Sequence, residues 1–323
     1  MEKLDYALIL NLPEECVSYN VSLSSKTWIH RGGMVAVWFA PKNVDDLVKI
    51  GRFLYAKKAT FDVIGHTSNM YFCDSYNVDF VIDTREIKAF VYQGKQIICD
   101  CGAPLQLVAR KCIERGVSGY EGFYNIPGTV AGGVVDNSGC YGSQMDDLVL
   151  SIDLLTPDGT VVKLTNKELA YSIRSSALKR KEIEGIVLRV YMDASRLGDA
   201  EILRQKGEYN QMLRKYEHEG PAYNLGSVFV YSWKYKKNMR NLFVRIIARA
   251  MFKLRINYLT RQRVVKWMLM LLYGYVELNK CVSDKNLKCF LWRTKDADAL
   301  FPKFVSFFYA FADNPKIEID IKE

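Results

Sequence analysis

Five glycines stand within fifteen residues in the stretch Ile126-Pro127-Gly128-Thr129-Val130-Ala131-Gly132-Gly133-Val134-Val135-Asp136-Asn137-Ser138-Gly139-Cys140-Tyr141-Gly142. Nothing else in the chain limits its fold as strongly. Glycine lets a backbone adopt positive φ and come close to a ligand, and the run is longer than a pair of tight turns with a glycine-rich helix start needs. A shorter loop, Gly65-His66-Thr67-Ser68-Asn69-Met70, directly follows an apolar strand signal. It offers successive backbone N–H groups and small hydroxyls to a phosphate, although alone it reads equally well as a plain turn. Neither loop carries the nicotinamide fingerprint with its following acid, and neither has a Walker lysine.

Around these loops strands and helices are mixed. Val35–Phe39, Phe61–Ile64, Phe80–Ile82, Gln96–Cys99 and Gly185–Tyr191 read as strands. Asn43 caps a helix through Leu47, Val48, Ile50 and Leu54, and Leu105, Val108, Cys112 and Ile113 give helical spacing over Pro104–Arg115. The turn Pro157-Asp158-Gly159 joins Leu148–Leu155 to Thr160–Leu164 as a hairpin. After Ser195 the texture changes. Helices are predicted over Glu201–Glu217, Arg240–Leu254, Val264–Tyr275 and Ala297–Phe311, with strands at Asn224–Tyr231, Cys289–Trp292 and Ile317–Ile321. The class is therefore α+β, and 323 residues exceed what one core supports. The expected division is two ligand-binding subdomains, 1–86 and 87–195, then a third domain over 196–323 with a helical insert at 234–276.

The second loop closely resembles the flavin-binding signature of the UDP-N-acetylenolpyruvoylglucosamine reductases (UDP-N-acetylmuramate dehydrogenases), which share the vanillyl-alcohol-oxidase-type (PCMH-type) FAD-binding fold. Lys26-Thr27-Trp28-Ile29-His30-Arg31-Gly32-Gly33 resembles that family's opening segment, Gly65–Met70 its first pyrophosphate loop, and Gly119-Tyr120-Glu121-Gly122 the lead into its second. Glu168–Ser176 resembles its arginine motif and Gly226-Ser227-Val228-Phe229 its serine motif. The match is continuous over residues 26–195 and continues in islands beyond. It implies FAD, bound without a covalent link because the offset of His66 does not match relatives that attach flavin through a histidine. It implies NADPH as hydride donor. The residues it places around FAD are Gly65, His66, Thr67, Ser68, Asn69, Met70, Pro127, Gly128, Thr129, Gly132, Gly133, Asn137, Ser138, Gly139, Tyr141 and Gly142.

The chemistry implied is reduction of an enolpyruvyl ether on a sugar or sugar nucleotide to a lactyl ether. Charge builds on the carboxylate side of the double bond and the neighbouring carbon needs a proton. By resemblance Arg174 is the cation and Ser227 the proton donor. The family's late glutamate falls on Asp320, with Glu318 as the alternative register; ordinary surface roles for all three stay open. Several positions depart from the family. Ile173 stands where a tyrosine is usual, Glu217-His218-Glu219-Gly220-Pro221 replaces a basic residue and proline, and Val230-Tyr231-Ser232 replaces an asparagine-proline. The flavin half therefore looks intact and the substrate half rebuilt, as in a paralogue acting on another enolpyruvyl sugar, such as one from cell-wall or surface-glycan synthesis. The competing readings are an FAD oxidase or dehydrogenase of an alcohol or sugar on the same fold, and a binding protein that has lost its chemistry.

Net charge is +9, yet no acid lies between Glu219 and Glu277, where eleven Lys and Arg fall from Lys234 to Lys266. The rest of the chain is slightly acidic. This basic insert suits a helical subdomain with a solvated face, the wall of a nucleotide diphosphate pocket, or contact with an anionic membrane or lipid-linked glycan. No nucleic-acid-binding signature accompanies it. The eight cysteines are scattered, and Cys99-Asp100-Cys101 lacks metal-ligand spacing, so inert thiols in a reducing cytoplasm and no metal are expected. The opening Met1-Glu2-Lys3-Leu4-Asp5-Tyr6 does not read as a signal peptide, and no apolar run reaches eighteen residues.

Overall fold

The computed structural model describes residues 5–220, 223–230 and 234–323. The backbone falls into two compact units. The first takes residues up to Ser25, Gly33–Thr67 and Tyr76–Met212; the second takes Lys26–Gly32, Ser68–Ser75 and Leu213–Glu323.

The first unit holds two sheets. One is four-stranded, in the order Val17–Ser22, Met34–Phe39, Val78–Asp83, Phe61–Ile64; its first pair is antiparallel and the others parallel. The second is five-stranded and antiparallel, in the order Val161–Thr165, Val149–Leu155, Ile186–Asp193, Gln96–Asp100, Phe90–Gln93. The hairpin expected around Pro157 is there, with Leu155 opposite Val161 and Gly159 at φ 83°. Helix Val44–Ala56 starts at Asn43, whose side chain accepts from the Asp46 N–H at 2.8 Å. Its face of Leu47, Ile50 and Leu54 packs with Leu155, Ile186 and Leu188 of the second sheet. At Gly51 an added Cβ would stand 2.5 Å from Leu155 Cδ2 and 2.9 Å from Ile186 Cδ1, so a side chain there would have to displace the ends of both. Helix Leu105–Glu114 buries the predicted Leu105, Val108, Cys112 and Ile113 in the other core of this unit. Strands Val17–Ser22 and Phe90–Gln93 are additional to the sequence reading. Each sets one half-buried face on a core, Val17 and Tyr19 on one and Phe90 and Tyr92 on the other, and alternates it with more exposed residues.

The second unit is built on aromatic rings. Helix Ala297–Phe311 buries Phe301, Phe304, Phe307, Phe308 and Phe311, and Phe229 stacks on Phe308 with ring centroids 4.0 Å apart and planes at 13°. Segment Cys289–Trp292 is not the expected strand. Its side chains are all buried, but its backbone bonds go to Asn286, Cys281 and Tyr223 rather than to one ladder, and an apolar run alone cannot distinguish the two cases. Of the strand expected over Asn224–Tyr231, only a bridge from Phe229 to Ile317 is found; Tyr231 and Ser232, like Pro221 and Met1–Leu4, lie outside the described residues. Met70–Phe72 pairs in parallel with Asp320–Lys322. Helix Tyr258–Tyr273 begins earlier than its apolar pattern, because Asn257 caps it by accepting from the Thr260 N–H at 2.9 Å.

Replacing Phe308 by alanine removes one ring of the closest stacked pair in the second core. The expected loss is about 3–5 kcal/mol, read as a lowered denaturation midpoint by tryptophan fluorescence; an unmoved midpoint would show that the ring pair does not hold this core.

Candidate active site

The glycine run forms a turn, a short helix and a second turn. Thr129 caps helix Val130–Asp136 by accepting from the Gly132 N–H at 3.2 Å. Asn137 ends it in the left-handed conformation, at φ 44°. Gly139–Cys140 and Ser143–Gln144 then pair as a miniature hairpin. A cleft of about 200 Å³ opens here, lined by Asn137, Gly139, Tyr141, Gly142, Gln144 and Arg174. The predicted cation and the predicted loop are thus brought to one place inside the first unit.

Arg174 is put there by its own turn. Ser172 and Ser175 exchange backbone hydrogen bonds of 2.9 and 3.1 Å, leaving Ile173 and Arg174 at the tip. Arg174 has φ 54°, a left-handed value that costs a non-glycine residue about 1–2 kcal/mol. The surrounding wiring compels it. Asn137 Nδ2 donates to the Ser172 carbonyl at 2.9 Å, and Asn137 Oδ1 accepts from the Asp146 N–H at 3.1 Å. Ser176 Oγ donates to the Val135 carbonyl at 2.7 Å, and Lys179 pairs with Asp136 at 2.6 Å. Asn137 is fully buried, and its amide is committed to these protein partners while its residue borders the cleft. Ile173 is 70% exposed.

The first loop is divided between the units. Gly65, His66 and Thr67 belong to the first, where a Cβ on Gly65 would stand 2.5 Å from Thr129 Oγ1. Only glycine lets the two loops approach so closely. Burial, then the Arg85 charge, hold the His66 imidazole below the usual range and therefore neutral at pH 7, the Gly128 backbone opposing the shift. Ser68, Asn69 and Met70 belong to the second unit. There the Asp320 N–H donates to the Asn69 carbonyl at 2.9 Å, and Asp320 is in register with Met70. The backbone of Asp320 is therefore fixed beside the end of the first loop, with its carboxylate half-exposed and 3.9 Å from Lys322. Glu318 precedes it on the chain with its N–H donating to Val228.

Ser227, also in the second unit, accepts a hydrogen bond from Asn286 Nδ2 at 3.2 Å. The same amide lies 3.5 Å from His218 Nδ1. Burial, then Arg214, Lys288 and Lys285, push the His218 imidazole down to about 4. Neither Asn286 nor His218 stands in the serine motif; folding brings Asn286 to Ser227 and His218 to Asn286. The segment resembling the family's opening is held in the same unit by Arg31, which bonds to Asp74 at 3.2 Å and to the Thr294 carbonyl at 2.7 Å.

Residues 35–165 match the FAD binding domain family. A UDP-N-acetylenolpyruvoylglucosamine reductase of Caldanaerobacter subterraneus subsp. tengcongensis is 30% identical over 204 residues, 63% of this chain and 67% of that protein. One of Lactobacillus acidophilus is 30% identical over 223 residues, 68% of this chain and 74% of that protein. This chain belongs to the UDP-N-acetylenolpyruvoylglucosamine reductase family. Its fold is that of the Thermus caldophilus UDP-N-acetylenolpyruvylglucosamine reductase crystal structure, with a TM-score of 0.66, 19% identity, and coverage of 95% of this chain and 99% of that one. The protein is accordingly an FAD-dependent oxidoreductase.

The cleft fits part of such a cofactor. Gly139 and Gly142 present no side chain, a Cβ on Gly142 would point into open space, and the guanidinium of Arg174 supplies a cation. Its volume admits a phosphate pair or a ring, not a whole dinucleotide.

Gly65→Val should lower flavin content at saturating FAD while the chain stays folded, because the branched side chain drives the first loop off Thr129; full flavin occupancy would refute the close-approach argument. His218 sets a pH effect. Its folded pKa lies below the unfolded value, so stability is intact above about pH 6.5 and is lost as pH falls towards 4, by about 1–2 kcal/mol after allowance for screening. His218→Asn should abolish that part of the decline in thermal unfolding between these pH values.

Proposed function

We propose that this protein reduces the enolpyruvyl ether of a nucleotide-linked sugar, of the UDP-N-acetylenolpyruvoylglucosamine type, to the lactyl ether with NADPH as reductant. Bound FAD would supply the redox chemistry, taking hydride from the nicotinamide and giving it to the double bond. The observation that carries the reading is the placement of Arg174 at the glycine-lined cleft, held there by the buried Asn137. Its cation would steady the negative charge that develops on the carboxylate side of the double bond. A charge at that point matters more in the transition state than in the ground state.

Ser227 is assigned the proton. Asn286 donates to its oxygen, which leaves the Ser227 hydroxyl hydrogen to be given elsewhere and strengthens it as a donor. Asp320 is assigned the role of the family's glutamate. Its carboxylate is one methylene shorter, and its backbone is tied to Asn69. The FAD contacts are assigned to Gly65–Met70, Pro127–Thr129, Gly132, Gly133, Asn137–Gly139, Tyr141 and Gly142. The departures at Ile173 and over Glu217–Gly220 support a sugar different from the family's usual one. Glu219, in the stretch that replaces the family's basic residue and proline, accepts from Ser283 Oγ at 2.8 Å and faces Arg293 at 3.5 Å.

The purified protein should show a flavin absorbance band that is released on denaturation and that bleaches on anaerobic addition of NADPH. Arg174→Ala should leave that bleaching in place and slow flavin reoxidation by whichever enolpyruvyl nucleotide sugar reoxidises the unaltered protein, UDP-N-acetylenolpyruvoylglucosamine being the first tried, by about 10²–10³-fold. A flavin reduced by an alcohol or sugar but not by NADPH would replace the reading with an oxidase or dehydrogenase. A protein unable to take up FAD would overturn it.

A further inference from the structure

The first helix of the basic pair turns part of its apolar set outward, while Val244 is buried and Ile247 and Met251 are half-buried. Helix Met239–Lys253 rests on the second core through Val244 and Asn241, whose Nδ2 donates to the carbonyls of Lys236 and Phe311 at 2.9 and 2.8 Å. Its partner, Tyr258–Tyr273, is anchored by Leu269, Met270 and the buried Lys266, paired with Asp284. The stripe Leu242, Phe243, Ile246 lies on the solvent side together with Met239. These residues fall at i, i+3, i+4 and i+7, one continuous line along the helix. Arg245, Arg249 and Lys253, also exposed, run along its flank.

The tip of the pair has the same character. Phe252-Lys253-Leu254-Arg255-Ile256 are all exposed, with Phe252 at 68% and Leu254 at 74%. The turn is ordered: the N–H groups of Leu254, Arg255 and Ile256 donate to Ala250, Phe252 and Met251. Trp267 and Leu271, one turn apart on the second helix, are exposed as well. A solvated basic face needs no such apolar residues, and contiguous exposed apolar surface marks an interaction site.

We propose that this helix pair docks on the surface of an anionic phospholipid bilayer, with the apolar stripe and the Phe252–Ile256 tip entering the headgroup region and the Lys and Arg side chains meeting lipid phosphates. Charge complementarity selects this occupant. Between Glu219 and Glu277 the chain carries no acid, so a second copy seated face to face would set like charges against each other. A nucleic acid would satisfy the cations and leave the apolar stripe in water. Amphipathic helices with a basic flank bind in the interface plane, and no described helix is long and apolar enough to cross a membrane. The inference is independent of the redox reading.

The test is co-sedimentation of the full-length protein with vesicles of phosphatidylcholine alone and of phosphatidylcholine mixed with phosphatidylglycerol. Binding to the mixed vesicles only, falling with added salt, is expected. Phe252→Ser with Leu254→Ser, and separately Arg245→Gln with Arg249→Gln and Lys253→Gln, should each weaken it about tenfold or more, with flavin content and thermal unfolding unchanged. Absence of binding to both vesicle types, or equal binding to both, would overturn the proposal. So would concentration-dependent self-association that the Phe252 and Leu254 changes abolish, since the stripe would then be covered by a second copy.

Discussion

The amide of Asn137 is the interaction on which the flavin half of this protein turns. It is wholly buried, so each of its polar atoms must find a partner inside the protein. One side of the amide fixes the Ser172 carbonyl and the other the Asp146 N–H. Those two bonds join the end of helix Val130–Asp136, the small hairpin after it and the Arg174 turn into one body. The left-handed backbone at Asn137 suits asparagine, whose short polar side chain tolerates it. Arg174 has no such excuse, and its conformation holds because the segments on both sides are pinned. The cation proposed to meet a charge that develops in the transition state would have to be in place beforehand, and this wiring fixes the backbone that carries Arg174.

How much could be read from the sequence follows from how each unit is made. In the first, backbone approaches backbone or side chain so closely that several glycines admit no Cβ; Gly51, Gly65 and Gly139 all meet atoms within 3 Å. Such positions leave a spaced pattern of one residue type, and the spacing reveals the loops. In the second, Gly220, Gly226 and Gly274 meet nothing within 4 Å, and the fold rests on interlocking phenylalanines. Rings in a core can be packed in many ways, so Cys289–Trp292 looked like a strand and was not one. Ser227 and Asp320 were legible only through short motifs. The Asn286 beside the serine had no signal of its own.

His218 and Asp298 show how the second unit uses burial on ionisable groups in opposite senses. The imidazole is held neutral by burial and by three nearby cations. The Asp298 carboxyl is pushed up to about 6, first by burial and then by Asp74, although Arg31 stands 3.8 Å away. Acid conditions therefore oppose the first group and relieve the second, so the two contributions partly cancel between about pH 4 and 6. Near neutral pH the His218 imidazole is uncharged, and Asn286, which lies 3.5 Å from it, is the donor to the Ser227 oxygen.

The outward stripe on the basic helix bears on the same question of what a sequence pattern means. Apolar residues at helical spacing ordinarily point to a core, yet here the core side is carried by Val244 and by Asn241, a polar residue whose two donor bonds close off backbone carbonyls. A helix can afford so thin an apolar anchor because the cap at Asn238 and the hydrogen-bonded turn at Leu254–Ile256 hold its ends. The wider apolar face is then released from packing. Leaving Phe243, Ile246 and Phe252 in water forgoes burial worth about 1.5–3 kcal/mol for each large side chain, a cost that an anionic bilayer interface would recover and that bulk solvent does not.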